Sequence, residues 1–143
     1  TNIRKKELTM GGSTITQQVA KNLYFTQEKT LTRKIAELFM AIELEKRYDK
    51  DEIFEFYVNN IYFGSGYYNI YDASMGYYGV LPKDLTDYQA TLLAGVPNAP
   101  SVYSPDNNTH LTAERQWQVL DCMVKRDYLS REEADEILNR GSN

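Results

Sequence analysis

Hydrophobic residues along the chain recur at the three- and four-residue spacing of amphipathic α-helices, and no stretch alternates as a β-strand does. This spacing predicts a first helix that begins near Ile15 and a second from about Leu31 to Arg47. Five more are expected: from Asp49 past Ile61, Ile70 to Tyr78, Thr86 to Gly95, about Leu111 to Arg126, and from Ser130 onward. Residues 96–108 are rich in proline and asparagine and are predicted to form a loop. The pattern therefore predicts an all-α chain, with residues 1–143 as one domain.

Helix starts are marked by capping boxes, in which a short polar residue is followed three positions later by Gln or Glu. The chain has four such pairs: Thr14 and Gln17, Asp49 and Glu52, Thr86 and Gln89, and Ser130 and Glu133. Because no hairpin signal separates them, they support the all-α prediction.

The second predicted helix is apolar on nearly every face, with a stripe formed by Leu31, Ile35, Leu38 and Ile42. We therefore expect it to be mostly buried. Glu37 lies on this helix, three residues after Lys34 and four after Arg33. A carboxylate in such a place is costly unless cations compensate it, so Glu37 is expected to stay ionised and to contact a neighbouring cation. The spacing alone leaves a structural salt bridge and a functional carboxylate equally open.

The charge is distributed unevenly along the chain. The whole sequence carries −4, yet residues 1–34 hold seven basic and two acidic residues, a net +5, against −9 for the remainder. A basic end on an acidic protein indicates a local anionic partner, whereas the acidic bulk argues against nucleic acid. One cysteine and one histidine exclude an internal disulfide and a histidine-based metal cluster.

Candidate binding chemistry lies where Gly11 and Gly12 lead into the first helix. A helix start exposes backbone N–H groups and favours anions, phosphate above all. The polar residues of this start and the cations downstream are predicted to line one cleft for a polyanion; a solvated polar helix face is the alternative. The set comprises Ser13, Thr14, Gln17, Gln18, Lys21, Lys29, Arg33 and Lys34.

Four stretches resemble the peptidoglycan glycosyltransferases of family 51, the polymerase domains of penicillin-binding proteins and monofunctional transglycosylases. They are "GGSTITQQVAKNLYF" (11–25), "RKIAE" (33–37), "KDEIFEFYVNNIYFGSGYY" (50–68) and "LLAGVPNAPSVYSP" (92–105). Arg115 and residues 119–120 resemble the family's last motif, whereas Gln116, Asn69 and Val80 depart from its usual residues.

The resemblance implies a lysozyme-like helical fold and polymerisation of lipid II, in which an acceptor sugar 4-hydroxyl displaces undecaprenyl diphosphate with inversion. It implies that Glu37 is the catalytic carboxylate that assists diphosphate departure, and that Asn59 helps to build the cleft. The residues from Ser13 to Lys34 named above would bind the diphosphate and sugars. A divalent cation, Mg²⁺ or Mn²⁺, is left open as a cofactor, and no metal-ligating residue is predicted.

The implied setting is the extracytoplasmic face of the bacterial plasma membrane, with lipid II and the growing glycan strand as partners. A C-terminal transpeptidase domain is left open. Residues 1–10 would be the tail of a membrane-associated jaw segment. The family's general-base glutamate lies in an E-D-x-x-F-x-x-H-x-G motif upstream of the stretch that matches residues 11–18, and that motif does not occur in this sequence. Since a base must deprotonate the acceptor hydroxyl, we expect this chain alone to be inactive or severely impaired.

Two alternatives remain open from the sequence. A lysozyme-like glycan hydrolase would need a protonated acid glutamate, which the cations beside Glu37 disfavour. A non-catalytic lipid II or glycan-binding module would need no base.

Overall fold

The computed structural model describes residues 14–24, 31–107 and 109–141, and these ranges contain helices and turns without a β-strand. The α-helices are α1 Ile15–Tyr24, α2 Leu31–Arg47, α3 Lys50–Asn59, α4 Ile70–Tyr78, α5 Asp87–Gly95, α6 Pro100–Tyr103, α7 Thr109–Lys125 and α8 Arg131–Gly141. Two short 3₁₀ segments cover Pro82–Asp84 and Val96–Asn98. The all-α prediction is confirmed, and α2, α4 and the C-terminal end of α5 have the bounds that the spacing predicted.

Several helices begin directly after the capping residues that the sequence predicted. At α5, the Thr86 hydroxyl accepts from Gln89 N and the Gln89 side chain accepts from Thr86 N, at 3.2 and 3.0 Å. Ser130 and Glu133 make the same reciprocal pair before α8. Asn69, which departs from the resembled family, caps α4 through its side chain. Each cap satisfies N–H groups that a helix start leaves without intrahelical partners.

The chain divides into two compact units, Thr1–Ile61 and Tyr62–Asn143, called the N-terminal and C-terminal units below. In the N-terminal unit, α1 packs against α2 and α3. Its core is a cluster of Val19, Ala20, Leu44 and Ile53, with Met40, Phe56 and Tyr57 at the edge. This packing sets the position of α1 relative to α2, the two helices that carry the predicted cluster.

In the C-terminal unit, α5 packs against both α7 and α8, with Leu93 and Leu120 fully buried. A turn through Gly64 and Gly66, both at φ +84°, precedes α4. The turn is held by Tyr77, whose hydroxyl donates to Phe63 O at 2.8 Å. A Cβ on Gly64 would lie 3.0 Å from Ser104 Cβ, so the close approach of the two segments requires glycine there.

Three predictions of local structure are wrong. The apolar stripe of α2 is not buried: Leu31, Ile35 and Ile42 are exposed and Leu38 is half-buried, because α1 and α3 pack on the side of α2 that carries Leu44. The third helix ends at Asn59, short of Ile61. Within the predicted loop 96–108, Pro97 and Pro100 each occupy the first turn of a short helix, where proline's missing N–H costs nothing.

Among the described helices, none has the length and apolar character needed to cross a membrane.

Candidate functional site

The start of α1 is fixed by a reciprocal cap. Thr14 N donates to Gln17 Oε1 at 3.0 Å, and Gln17 N donates to Thr14 Oγ1 at 3.2 Å. The capping box predicted from sequence is therefore confirmed. Because the cap uses the Gln17 carbonyl oxygen, the Nε2 donors are the part of that side chain left to face a ligand.

Helix α1 has two distinct faces. Thr16, Val19 and Ala20 are buried against the rest of the unit, and the Thr16 hydroxyl donates to Glu45 Oε1 on α2 at 3.1 Å. Gln17, Gln18 and Lys21 lie on the opposite side and are half-buried. The helix therefore presents amide and ammonium donors on one side and anchors itself with the other.

The charged feature of α2 is the pair formed by Lys34 and Glu37. Glu37 is 2% exposed, whereas the side chain of Lys34 is 54% exposed, and Lys34 Nζ lies 3.6 Å from Glu37 Oε2. The predicted contact of Glu37 with a neighbouring cation is confirmed. The buried carboxylate holds the ammonium at the protein surface, where the ammonium is accessible to an anionic ligand.

Glu37 lies on the inward face of α2. Ala41 and Leu44 follow it at four and seven residues and are also buried. Residues three, four and seven positions apart share one side of an α-helix, so these three side chains face the same way. An ionised carboxylate among such neighbours is held only at an energetic cost, so a partner cation is needed to keep it charged.

Two contacts that position α1 were not predicted. Thr16 reaches Glu45, and Asn22 Nδ2 donates to Asn60 O just after α3, at 3.3 Å. A threonine on the apolar face of α1 was a signal that could have indicated the first contact, since a buried hydroxyl needs a partner. Together the two contacts fix both ends of the helix that carries Lys21.

The structure describes only part of the predicted cluster. Ser13, Lys29 and the side chain of Arg33 lie outside the described residues. Asn59 is the last residue of α3 and is exposed. Thr14 meets Gln17 and Lys34 meets Glu37. That Lys21 and the pair on α2 face one ligand stays a prediction.

The described residues offer few ligands for a divalent cation. The described residues contain no group of three or more His, Cys, Asp or Glu side chains suited to a metal ion. Magnesium is often held by one or two carboxylates together with substrate phosphates, and Glu37 would be the carboxylate available here. Because Lys34 occupies the space beside Glu37 Oε2, the described residues do not form a metal site by themselves.

Comparisons with known proteins identify the family of the chain. A model of the transglycosylase family matches residues 1–124. Penicillin-binding protein 2D of Bacillus subtilis is 49% identical over 128 residues, which cover 90% of this chain and 18% of that protein. Penicillin-binding protein 1A of Aquifex aeolicus is 42% identical over 139 residues, 97% of this chain and 19% of that protein. The chain thus spans less than a fifth of the length of either relative.

The fold is similar to that of penicillin-binding protein 1A from Haemophilus influenzae. The crystal structure of that protein superimposes with a TM-score of 0.54 at 26% identity, over 87% of this chain and 15% of that chain. Together with the helical content, this likeness confirms the lysozyme-like helical fold class.

Proposed function

The chain belongs to the transglycosylase family, and on that premise we propose that the intact protein polymerises lipid II into peptidoglycan glycan strands. The reaction forms a bond between the acceptor's sugar 4-oxygen and the donor's anomeric carbon, and breaks the bond from that carbon to the lipid diphosphate. The acceptor proton passes to a base, and the configuration inverts.

The observation that carries the proposal is the pairing of a buried carboxylate with a surface ammonium. Lys34 is 3.6 Å from Glu37, and its side chain is half-exposed. As the donor bond breaks, negative charge grows on the diphosphate, and a cation already held in place stabilises it without reorganisation. Glu37 is the positioning residue in this account, since it acts on the diphosphate through Lys34.

The α1 donors complete the proposed site. Gln17, Gln18 and Lys21 share the face that points away from the core. Amide donors and a lysine suit sugar hydroxyls and phosphate oxygens, and an acidic surface would repel the phosphates. Lys29, Arg33 and Ser13 are proposed to join them, on the strength of the spacing in the sequence.

A glycan hydrolase is the less favoured function. Hydrolysis needs a carboxylic acid that keeps its proton, and commonly a second carboxylate at a defined separation. Glu37 is instead paired with a cation, since Lys34 Nζ lies 3.6 Å from its Oε2. A binding module without catalysis would share the same residues, so the products of the reaction must distinguish it.

The setting is proposed on the same premise. The two relatives named above are called penicillin-binding proteins. We infer that a penicillin-binding transpeptidase domain accompanies this one, that the protein works at the outer face of the bacterial plasma membrane, and that a divalent cation held mainly by the substrate's phosphates assists it.

The test is product analysis with the intact protein and labelled lipid II. A polymerase gives glycan chains of increasing length that a muramidase digests. A hydrolase shortens preformed strands and leaves lipid II unchanged, and a binding module does neither. Either of the last two results would refute the proposal. Repeating the assay with EDTA, followed by Mg²⁺, tests the cation.

A further inference from the structure

The two described lysines of the proposed site are held in different ways. The ammonium of Lys34 is paired with Glu37. In the part of the chain that the structure describes, no residue forms a hydrogen bond or an ion pair with the ammonium of Lys21. The place of Lys21 is therefore set by the backbone of α1, from which its side chain extends.

That stretch of backbone is the last turn of α1. The helix has ten residues and ends at Tyr24, with Lys21 in its final turn. The last turn of a helix has carbonyl groups without intrahelical partners, and helix ends fray. In so short a helix, tertiary contacts supply most of the stability. A contact that docks the last turn on a neighbouring element therefore determines where the Lys21 ammonium lies.

Asn22, the residue after Lys21, makes such a contact. Its Nδ2 donates to the carbonyl oxygen of Asn60 at 3.3 Å. The residue that accepts this bond is itself fixed, since Asn60 N donates to Tyr57 O at 3.2 Å and Asn60 Nδ2 donates to Phe56 O at 2.9 Å. Asn22 thus ties the last turn of α1 to a well-defined carbonyl directly after α3.

The bond also joins the neighbours of two residues that the sequence assigns to one cleft. Lys21 precedes Asn22, and Asn59 precedes Asn60. Asn59 is the last residue of α3 and is exposed. The segment that carries the predicted diphosphate cation is therefore fastened to the segment that carries the predicted cleft residue.

The contact at the opposite end of α1 is of another kind. Thr16 is buried, and its hydroxyl donates to Glu45 Oε1 at 3.1 Å, as expected of a group that anchors a helix in a core. Asn22 is exposed, so water competes for its bond and the bond adds little to stability. A weakly stabilising bond beside a cation that nothing else holds points to a role in geometry.

We propose that Asn22 is a positioning residue that holds Lys21 toward the diphosphate of the lipid substrate. Asn22 acts through Lys21 and the last turn of α1. The identity of the ligand rests on the proposed function, whereas the bond between Asn22 and Asn60 does not.

The test is a double-variant cycle of Asn22→Ala and Lys21→Ala in the intact protein, with the affinity for undecaprenyl diphosphate in detergent micelles as the measured quantity. Asn22→Ala is expected to weaken binding about three- to fivefold, the effect of one solvent-accessible hydrogen bond, with a nearly unchanged melting temperature. In the Lys21→Ala background, the same substitution should change the affinity by less than about 1.5-fold, because the ammonium that Asn22 positions is absent.

Thr16→Val is the matched control, because it removes a side-chain hydrogen bond at the other end of the same helix. Its effect on affinity should be the same with and without Lys21. The inference is overturned if Asn22→Ala leaves the affinity unchanged, or if its loss is equally large in both backgrounds. It is also overturned if Thr16→Val depends on Lys21 as strongly as Asn22→Ala does, since Asn22 would then only stabilise the helix.

Polymerisation of lipid II by the wild-type protein is measured in parallel. If Asn22 and Lys21 are coupled in a protein that does not polymerise lipid II, the positioning role stands and the proposed function fails. If the protein polymerises lipid II and the two residues act independently, the proposed function stands and the positioning role fails.

Discussion

Two large polar side chains among the described residues, one in each unit, are almost completely buried and are satisfied differently. Gln116 on α7 is 1% exposed, and its amide donates to Tyr88 O and Thr91 Oγ1 on α5 at 2.9 and 3.1 Å. Glu37 on α2 is 2% exposed, and its carboxylate faces an ammonium whose side chain is half in solvent.

The difference separates a structural role from a functional one. The Gln116 amide is neutral, and its bonds tie two helices of one unit together, as buried polar groups in cores usually do. Glu37 carries a charge that is costly to bury and uses it to hold Lys34 at the surface. A buried group whose partner faces solvent can act, through that partner, on a ligand that binds at the protein surface. The predictions that follow test this contrast, from the largest expected effect to the smallest.

Replacing Lys34 should have the largest effect. In Lys34→Gln the diphosphate loses a cation, and polymerisation is expected to fall by about 10². The buried Glu37 carboxylate also loses its ion pair, so stability should fall by about 1–3 kcal/mol. Polymerisation rate and denaturant unfolding are measured on the same preparation.

A double variant sharpens this result. Lys34→Gln with Glu37→Gln should recover much of the lost stability without recovering activity, because no uncompensated charge remains buried. If the double variant is as unstable as Lys34→Gln alone, burial of the carboxylate is not what Lys34 compensates.

Gln116→Leu should affect stability alone. It removes the bonds to Tyr88 O and Thr91 Oγ1 and is expected to cost about 1–3 kcal/mol of unfolding free energy. Gln118→Leu, an exposed position on the same helix, is the control and should stay within about 0.5 kcal/mol of wild type. If the polymerisation rate per folded molecule falls in Gln116→Leu, the purely structural role of Gln116 is contradicted.

Two of the reciprocal caps, those at Thr14 and Ser130, offer a smaller test. Thr14→Ala and Ser130→Ala each remove one capping hydroxyl and should each cost about 1 kcal/mol of stability, read by chemical denaturation. Thr14→Ala should in addition weaken lipid II binding, because it loosens the start of the helix that carries Lys21. Equal lipid II affinity in the two variants would show that the start of α1 does not contribute to the proposed site.

A surface ion pair should give the smallest effect. Lys125 and Arg131 contact Asp121, and their hydrogen bonds lower its pKa. Because the folded-state pKa lies below that of the unfolded chain, the stabilisation is present above about pH 4 and is lost as pH falls through the folded-state pKa. Asp121→Asn should flatten the dependence of melting temperature on pH in that acidic window. An unchanged profile would show that the pair contributes nothing measurable.

Features set by neighbours in the sequence could be predicted. The caps at Thr14, Thr86 and Ser130 depend on residues three positions apart, and so does the contact of Lys34 with Glu37. Such spacings are fixed by helix geometry before any tertiary packing.

Features set by packing could not be predicted. The apolar pattern of α2 indicates two faces suited to burial, but not which of them α1 and α3 cover, so Leu31 and Ile35 were wrongly expected inside. The packing in the C-terminal unit brings Tyr78 together with residues of α5 and α8 around one cavity. No local pattern in the sequence signals that meeting.

The role of Glu37 is tested most directly by Glu37→Gln in the intact protein, with lipid II affinity and the polymerisation rate at saturating lipid II measured in parallel. We predict a rate lower by about 10–10², no more than in Lys34→Gln, with near-normal affinity and melting temperature, since the carboxylate acts through Lys34 as charge develops on the diphosphate. Glu43→Gln, on the same helix but exposed, is the control and should polymerise nearly as wild type does. A near-normal rate in Glu37→Gln would contradict the account and leave Glu37 as a structural partner of Lys34.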